Sequence, residues 1–455
     1  MSFFKLGVNP ALVKVLKAGG ILEPFPIQTA TLPDAIAGRD VLGRGQTGSG
    51  KTLAFGLAML TRLAGRQAKA HQPLALILAP TRELAMQIND TLRPLNQSLG
   101  LDSRLIAGGM PYGQQIQALR KAVPILVATP GRLMDLIKQR EVRLSDVEIV
   151  ILDEADQMVD MGFLPVVKEI LDQTKPNGQR LLFSATLDGP VEQLVRKYLR
   201  NPVVHSVDSD KASVDTMDHH VLVIDPLDKD KITTQLAARD GRTILFVRTQ
   251  HGADKLAKKL ADRGVPVGSL HGGKSQAVRT RTLAAFKSGE TNALVATDVA
   301  ARGIHVDGIS LVVHVDAPTD PKDYLHRAGR TARAGESGTV VTLTTSNQQK
   351  TIRGLTTRAG VNAAFVRVKP HAPELNSLFG AQEPSGTPWV APVFADKSEG
   401  RRSGGGRPAG RSNSSGRPGA SGGRPGASGG RPGGRPGQSS GKSRPRPESR
   451  RQRPR

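Results

Sequence analysis

Short apolar runs alternate along this chain with longer stretches in which hydrophobic residues recur every three to four positions. Leu74–Leu78, Ile125–Ala128, Ile149–Leu152 and Arg180–Phe183 are too short for helices and rich in aliphatic residues, which predicts buried strands. Runs of the same kind return at Thr243–Val247, Ala293–Ala296, Leu311–Val315 and Gly338–Leu343. Each leads into a polar or Gly/Pro-bearing turn, and most then into a helical segment. Uninterrupted apolar strands separated by helices are the pattern of parallel sheets covered on both faces. The polar stretch Asp208–His220 divides the two sets. The pattern therefore predicts two α/β domains, 1–207 and 221–370, joined by a linker over 208–220.

Beyond Pro370 the periodicity fades, and residues 371–455 read as a disordered tail. From Lys397 to Arg455 there are 16 Lys/Arg against two acids, Glu399 and Glu448, so +14 of the chain's formal +24 lies there. Arg417, Arg424 and Arg431 are each followed by Pro-Gly. So basic a chain calls for an anionic partner, and nucleic acid is the usual one. The absence of cysteine excludes disulfides, thiolate metal sites and cysteine nucleophiles. No apolar window of about 18 residues suggests a membrane span, and MSFFKLGVNP lacks the layout of a signal peptide, so a cytoplasmic protein is expected.

The chemistry starts at Gly45-Gln46-Thr47-Gly48-Ser49-Gly50-Lys51-Thr52, a G-x-x-x-x-G-K-T loop between an apolar stretch and a helical one. Glycines let backbone N–H groups curl around phosphates, and the following helix offers them its positive end. Lys51 is expected on the β/γ oxygens and Thr52 on Mg²⁺. Asp153-Glu154-Ala155-Asp156 follows at the end of an apolar run, as a second element of a nucleoside triphosphate site. The loop, this quartet, Ser184-Ala185-Thr186 and Thr297-Asp298 all come just after predicted strands, where ligands of parallel sheets gather.

In this ordered series the chain resembles the DEAD-box ATP-dependent RNA helicases, most closely their bacterial RhlE-like group, over residues 1 to about 370. The resemblance implies two RecA-like domains in tandem with an open cleft between them, binding ATP, Mg²⁺ and single-stranded RNA across both. Gly20–Gln28 is similar to the family's adenine-sensing motif, with Gln28 on the base edge and Phe3 as an upstream aromatic able to stack. Phe25 stands where the family usually has a small hydroxyl residue.

By the same likeness Asp153 holds Mg²⁺ through water and Glu154 orients or deprotonates the attacking water. Asp156 couples to Ser184, Thr186 and His326, and Asp298 belongs with this coupling set. Arg330 and Arg333 are the arginine fingers, with Ala332 where glycine is usual. Pro80, Thr81, Arg82, Gly108, Gly109, Thr129, Pro130, Gly131 and Arg132 match the first domain's RNA motifs. Arg248, Thr249, Gln276, Arg279 and Thr297 match those of the second. These types grip sugar-phosphate and 2′-hydroxyls and ignore base identity. His305 replaces the Asp that contacts the ATP ribose, and Asp307 lies two residues on.

The expected activity is RNA-dependent ATP hydrolysis that locally separates short duplexes. An annealer or clamp driven by the basic tail, with ATPase as timer, is the alternative. A DNA helicase on the same core is a further one. Ribosomal precursors and RNA-decay machinery are the kinds of partner the family implies.

Overall fold

The computed structural model describes residues 1–45, 48–187, 189–206, 217–301, 304, 306–332 and 337–390. The described residues form one compact unit that holds both sheets.

The first sheet contains β1 (Val41–Arg44), β2 (Ala75–Leu78), β3 (Ser103–Ile106), β4 (Ile125–Ala128), β5 (Ile149–Asp153), β6 (Gln179–Ser184) and β7 (Val203–Ser206). The second contains β8 (Met217–Val223), β9 (Arg242–Phe246), β10 (Val267–Leu270), β11 (Ala293–Ala296), β12 (Ile309–His314), β13 (Gly338–Thr344) and β14 (Ala364–Arg367). Their spatial orders are β3-β4-β2-β5-β6-β1-β7 and β10-β11-β9-β12-β13-β8-β14. Counted from its own first strand, each lobe is wired identically. All strand pairs are parallel.

Alternation along the central strands divides each core into two layers. Ile149 and Ile151 of β5 face one layer with Leu57 and Phe183, whereas Val150 and Leu152 face the other with Leu133 and Leu171. In the second lobe Leu311 and Val313 of β12 face one layer and Val312 the other. Burial on both sides is what makes these strands read as unbroken apolar runs.

The strands absent from the sequence reading are β3, β7, β8, β10 and β14. Four are edge strands with one partner each, and their polar members, such as Ser103, Arg104, His205 and Ser269, interrupt the apolar signal. β8 corrects the predicted linker over 208–220: it begins at Met217, so His219 and His220 are strand residues. Residues 208–216 of that linker lie outside the described residues.

The predicted tail is corrected as well. Residues 371–390 are part of the second lobe. Pro373–Phe379 is a helix, and Leu375, Phe379 and Ala381 enter the core. The chain then straps across the lobe, with Gln382 N–H donating to Gln235 O at 3.1 Å, Gly386 N–H to Arg263 O at 3.1 Å and Trp389 N–H to Ala261 O at 2.8 Å. Gly264 adopts φ +91°, and a Cβ there would collide with the Ser385 hydroxyl. Composition hid the strap, because its apolar residues are sparse and set among proline, glycine and charge. Residues 391–455 lie outside the described residues. Among the described residues, no helix is long and apolar enough to cross a membrane.

Candidate functional site

The phosphate loop leaves β1 and enters the helix Lys51–Leu63. Gly48 and Gly50 take φ of 94° and 88°, a region costly for any residue with a Cβ. Lys51 is buried, and its Nζ donates to Gly45 O at 2.8 Å. Gln46 and Thr47 lie outside the described residues; Ser49 and Thr52 sit at the helix entrance.

Gln28 is buried beside this loop. Its Nε2 donates to Gly50 O at 3.0 Å, and its Oε1 accepts from Phe25 N–H at 2.9 Å. The carboxamide thus ties the start of the helix Pro26–Ile36 to the loop, leaving one donor and one acceptor position for a further partner. Phe3 is a correction: at 2 % exposure it belongs to the first lobe's core with Leu12 and Ile27, so its ring has no face for a base.

Asp153 ends β5, buried, and accepts from Glu154 N–H at 3.1 Å. Burial pushes its carboxyl up to about 7, against the opposing pull of Lys51 and with Glu154 and Asp156 adding to the rise. A divalent cation there would reverse that balance. Glu154 makes the strand-to-helix turn at φ 50°, ψ 55°, left-handed backbone that costs a glutamate roughly 1–2 kcal/mol. Asp156 binds the end of β6 and the turn that follows: its N–H donates to Ser184 Oγ at 3.2 Å, and its Oδ2 accepts from Thr186 N–H at 3.0 Å and Thr186 Oγ1 at 3.2 Å. The expected link from Asp156 to Ser184 and Thr186 is therefore present in the geometry.

In the second lobe, Asp298 and His326 share a cleft with Asp323, Arg327 and Arg330. Arg327, which has no role in the motif reading, holds this cleft together. Its Nε and Nη2 bind the two Asp298 oxygens at 2.5 and 2.8 Å, and its Nη1 donates to Asp316 O at 2.7 Å. Its guanidinium also stacks 5.1 Å from the Phe246 ring. Arg330 is buried, donating to His326 O at 3.2 Å and Ile304 O at 3.0 Å. Arg333 and His305 lie outside the described residues.

The residues read as RNA motifs occupy matching places in the two lobes. Pro80-Thr81-Arg82 follows β2 and Arg248-Thr249 follows β9, the second strand of each. Thr81 and Thr249 cap the next helices, accepting from Leu84 N–H at 3.3 Å and Gly252 N–H at 3.0 Å. Gly108-Gly109 follows β3, and Gln276 follows β10. Thr129-Pro130-Gly131-Arg132 follows β4, and Thr297 follows β11. Gly109 has φ 70°, and a Cβ there would run into the Arg82 guanidinium. Arg132 donates to Met110 O at 3.3 Å and lies 4.7 Å over the Tyr112 ring, an aromatic the motifs themselves do not contain.

Some of these residues meet each other across the lobes. Arg82 Nη1 donates to Gln276 Oε1, Gln276 Nε2 donates to Glu83 Oε1 at 3.3 Å, and Arg279 pairs with Glu83 at 2.8 Å. Burial holds Arg82 below its ordinary value; Glu83 opposes this, and the nearby Arg279 and Arg132 charges add to it. Arg82 and Arg279 beside the Glu83 carboxylate, with the Arg132 charge near Arg82, form a surface suited to phosphate. Lys322 and Asp160 make a further cross-lobe pair at 3.0 Å.

Comparison with known proteins agrees with this arrangement. Residues 25–194 match the DEAD/DEAH box helicase family, and residues 228–335 the helicase conserved C-terminal domain. The Arabidopsis thaliana protein named DEAD-box ATP-dependent RNA helicase 9, mitochondrial, is 40 % identical over 363 residues, spanning 78 % of this chain and 59 % of that protein. The chain thus spans under two thirds of that relative's length. Among solved structures, S. cerevisiae Dbp5 bound to RNA and ADP BeF3 superposes with a TM-score of 0.74 at 30 % identity, covering 83 % of this chain and 98 % of that one. Mss116p bound to ssRNA and AMP-PNP gives 0.71 at 25 % identity, covering 83 % and 80 %.

Proposed function

The chain belongs to the DEAD-box RNA helicase family, and from that premise we propose that it hydrolyses ATP in response to RNA and locally separates short duplexes. One observation carries the reading: the phosphate loop and Asp153–Glu154 stand in one lobe, Arg330 in the other, and the RNA motifs of both lobes are bonded to each other through Arg82, Glu83, Gln276 and Arg279. On this reading nucleotide chemistry and strand grip both draw on residues of the two lobes. Two ligands that favour one closed state raise each other's affinity, reciprocally.

Each residue has a derivable task. Lys51 neutralises phosphate charge, and Glu154, held by its strained turn, orients the attacking water and takes its proton. Arg330 and Arg333 stabilise the transferring phosphoryl group from the second lobe. Asp156 relays between the quartet and Ser184–Thr186. Mg²⁺ fits the oxygen donors Thr52 and Asp153, because a buried carboxylate with a raised pKa gains from a hard cation. Bound there, the ion would neutralise charge developing on the phosphates. Gln28 reads adenine with its remaining donor and acceptor. The motif loops hold the RNA backbone, and the basic stretch beyond Val390 adds sequence-independent attraction.

The working unit is two RecA-like domains, the first ending near 206 and the second running from Met217, where β8 begins, through the strap. Placement in the RhlE-like group rests on the sequence motifs alone; the relative named above is from Arabidopsis thaliana, and Dbp5 is from S. cerevisiae. Ribosomal precursors or decay substrates are the RNAs to examine, and the cytoplasm is the compartment proposed, which fractionation would decide against an organelle. The +14 of residues 397–455 favours a second reading, an RNA clamp timed by hydrolysis. Steady-state hydrolysis by residues 1–390, with and without RNA, tests the main reading alongside unwinding of a short duplex. Equal rates with and without RNA would sink it. Stimulated hydrolysis without strand separation would leave the clamp.

A further inference from the structure

Phe25 is 52 % exposed, and its loop neighbours Ile21 and Leu22 are exposed at 37 % and 65 %. A phenyl ring half exposed to water forgoes part of the stabilisation that burial would give unless something covers it. This ring is nevertheless held in place. The Phe25 N–H donates to Gln28 Oε1 at 2.9 Å, and the Gln28 amide donates to Gly50 O at 3.0 Å. The ring leans on the last glycine of the phosphate loop so closely that a Cβ on Gly50 would lie 2.7 Å from Phe25 Cδ2 and 2.5 Å from Gln28 Nε2. Gly50 thus has no side chain for two reasons, its φ of 88° and the space taken by these neighbours.

We propose that Phe25 forms the nucleoside-facing wall of the site, packing against the sugar and base of a nucleotide whose phosphates occupy the loop from Gly45 to Thr52. The proposal rests on the nucleotide reading of that loop and deepens it. A residue with a hydroxyl would offer the ligand a hydrogen bond; Phe25 offers apolar area and a ring face, which a purine nucleoside covers and bare phosphates do not. Phe3 is buried in the core and leaves this role to Phe25. The exposed side of the ring is then the part awaiting a ligand, and the side against Gly50 sets its height above the loop.

The test compares a ligand having a nucleoside with one lacking it. Full-length wild type, Phe25→Ala and Phe25→Tyr are titrated calorimetrically, in Mg²⁺, with ATP and with inorganic tripolyphosphate. The expected result is about ten-fold weaker ATP binding by Phe25→Ala, tripolyphosphate affinity within about two-fold of wild type, and wild-type ATP affinity for Phe25→Tyr. Equal weakening of both ligands would mean that Phe25 only braces the loop through Gly50, and would overturn the proposal. Unchanged ATP affinity in Phe25→Ala would overturn it too. A wild-type protein that binds neither ligand would instead refute the nucleotide reading of the loop, and this proposal with it.

Discussion

Arg279 of the second lobe lies 2.8 Å from the Oε1 of Glu83 in the first, and both side chains are largely buried. Removing one partner of such a pair strands the other charge, which costs more than an exposed pair is worth. Glu83→Gln should therefore weaken the mutual enhancement of RNA and ATP binding about ten-fold while leaving ATP affinity without RNA nearly unchanged. A double-mutant cycle with Arg279→Gln should give a coupling of about 1 kcal/mol or more. Strictly additive effects would show that the contact does no work in closure.

Glu154→Gln keeps the shape of the left-handed turn and the Asp153 carboxylate but removes the base. Hydrolysis should fall by at least about 10²-fold, with ATP-dependent retention of RNA. Single-turnover hydrolysis and RNA dissociation after a chase measure the two effects. RNA leaving as fast as from wild type would assign Glu154 another role.

Ala332 sits at φ 52°, where glycine is usual in the family and where a Cβ is strained. Ala332→Gly relieves roughly 1–2 kcal/mol of strain and gives back about 0.4–1 kcal/mol through a freer unfolded chain. A net gain of about 0.5 kcal/mol in unfolding free energy is expected, read from denaturant midpoints at constant slope. A loss would mean that the surrounding loop selects alanine for its methyl group.

His219 is buried with its Nδ1 3.0 Å from the Tyr324 hydroxyl. Burial pushes its pKa down to about 4, helped by His220 and opposed by Asp218. His314, whose ring meets that of Tyr324 edge-on at 4.9 Å, is lowered by burial as well, with Arg327 and His219 contributing. An imidazole whose folded pKa lies below its unfolded value near 6.5 gives its full stability above pH 6.5. That contribution is lost as pH falls toward 4, because the unfolded chain takes up the proton first. For His219 the loss is about 3 kcal/mol across that window. Chemical unfolding between pH 7 and 4.5 should show the decline, and His219→Gln should flatten it. An unaltered slope in the variant would assign the acid sensitivity elsewhere.

Truncation after Val390 should preserve the fold, whereas truncation after Pro370 removes Leu375 and Phe379 from the second lobe's core and should cost about 3–5 kcal/mol. Thermal unfolding of the two truncations measures this. In the longer of them, RNA affinity should lose roughly 3–4 units of salt slope relative to full length if about five tail charges meet phosphates. An identical slope would leave the tail a solubilising or protein-docking role.

What could be read from sequence divides along physical lines. β2, β4, β5, β6, β9, β11, β12 and β13 were legible because both faces are buried, so each carries an uninterrupted run of apolar residues or one broken only by threonine. β3, β7, β10 and β14 were not, because an edge strand needs only one partner and tolerates Arg104 or Ser269. The phosphate loop and the quartet at 153–156 were legible because their chemistry restricts residue type. Burial has no such local signature. Nothing adjacent to Phe3 marks it as core, and nothing in Phe25 alone marks it as exposed beside Gly50. The roles of Glu83 and Arg327 emerge only when partners 196 and 29 positions away, Arg279 and Asp298, are brought to them by the fold.

The identical wiring of the two sheets raises a question of stoichiometry. A duplicated architecture offers two addresses after a first strand, one following β1 and the other following β8. At the first the chain supplies glycines and Lys51. At the second it supplies Asp225-Pro226-Leu227-Asp228, where proline has no N–H to offer and two carboxylates repel the anion held by the first copy. A backbone that repeats itself in tandem thus carries phosphate-binding chemistry at the first of these two addresses and chemistry unsuited to an anion at the second, which is free to diverge.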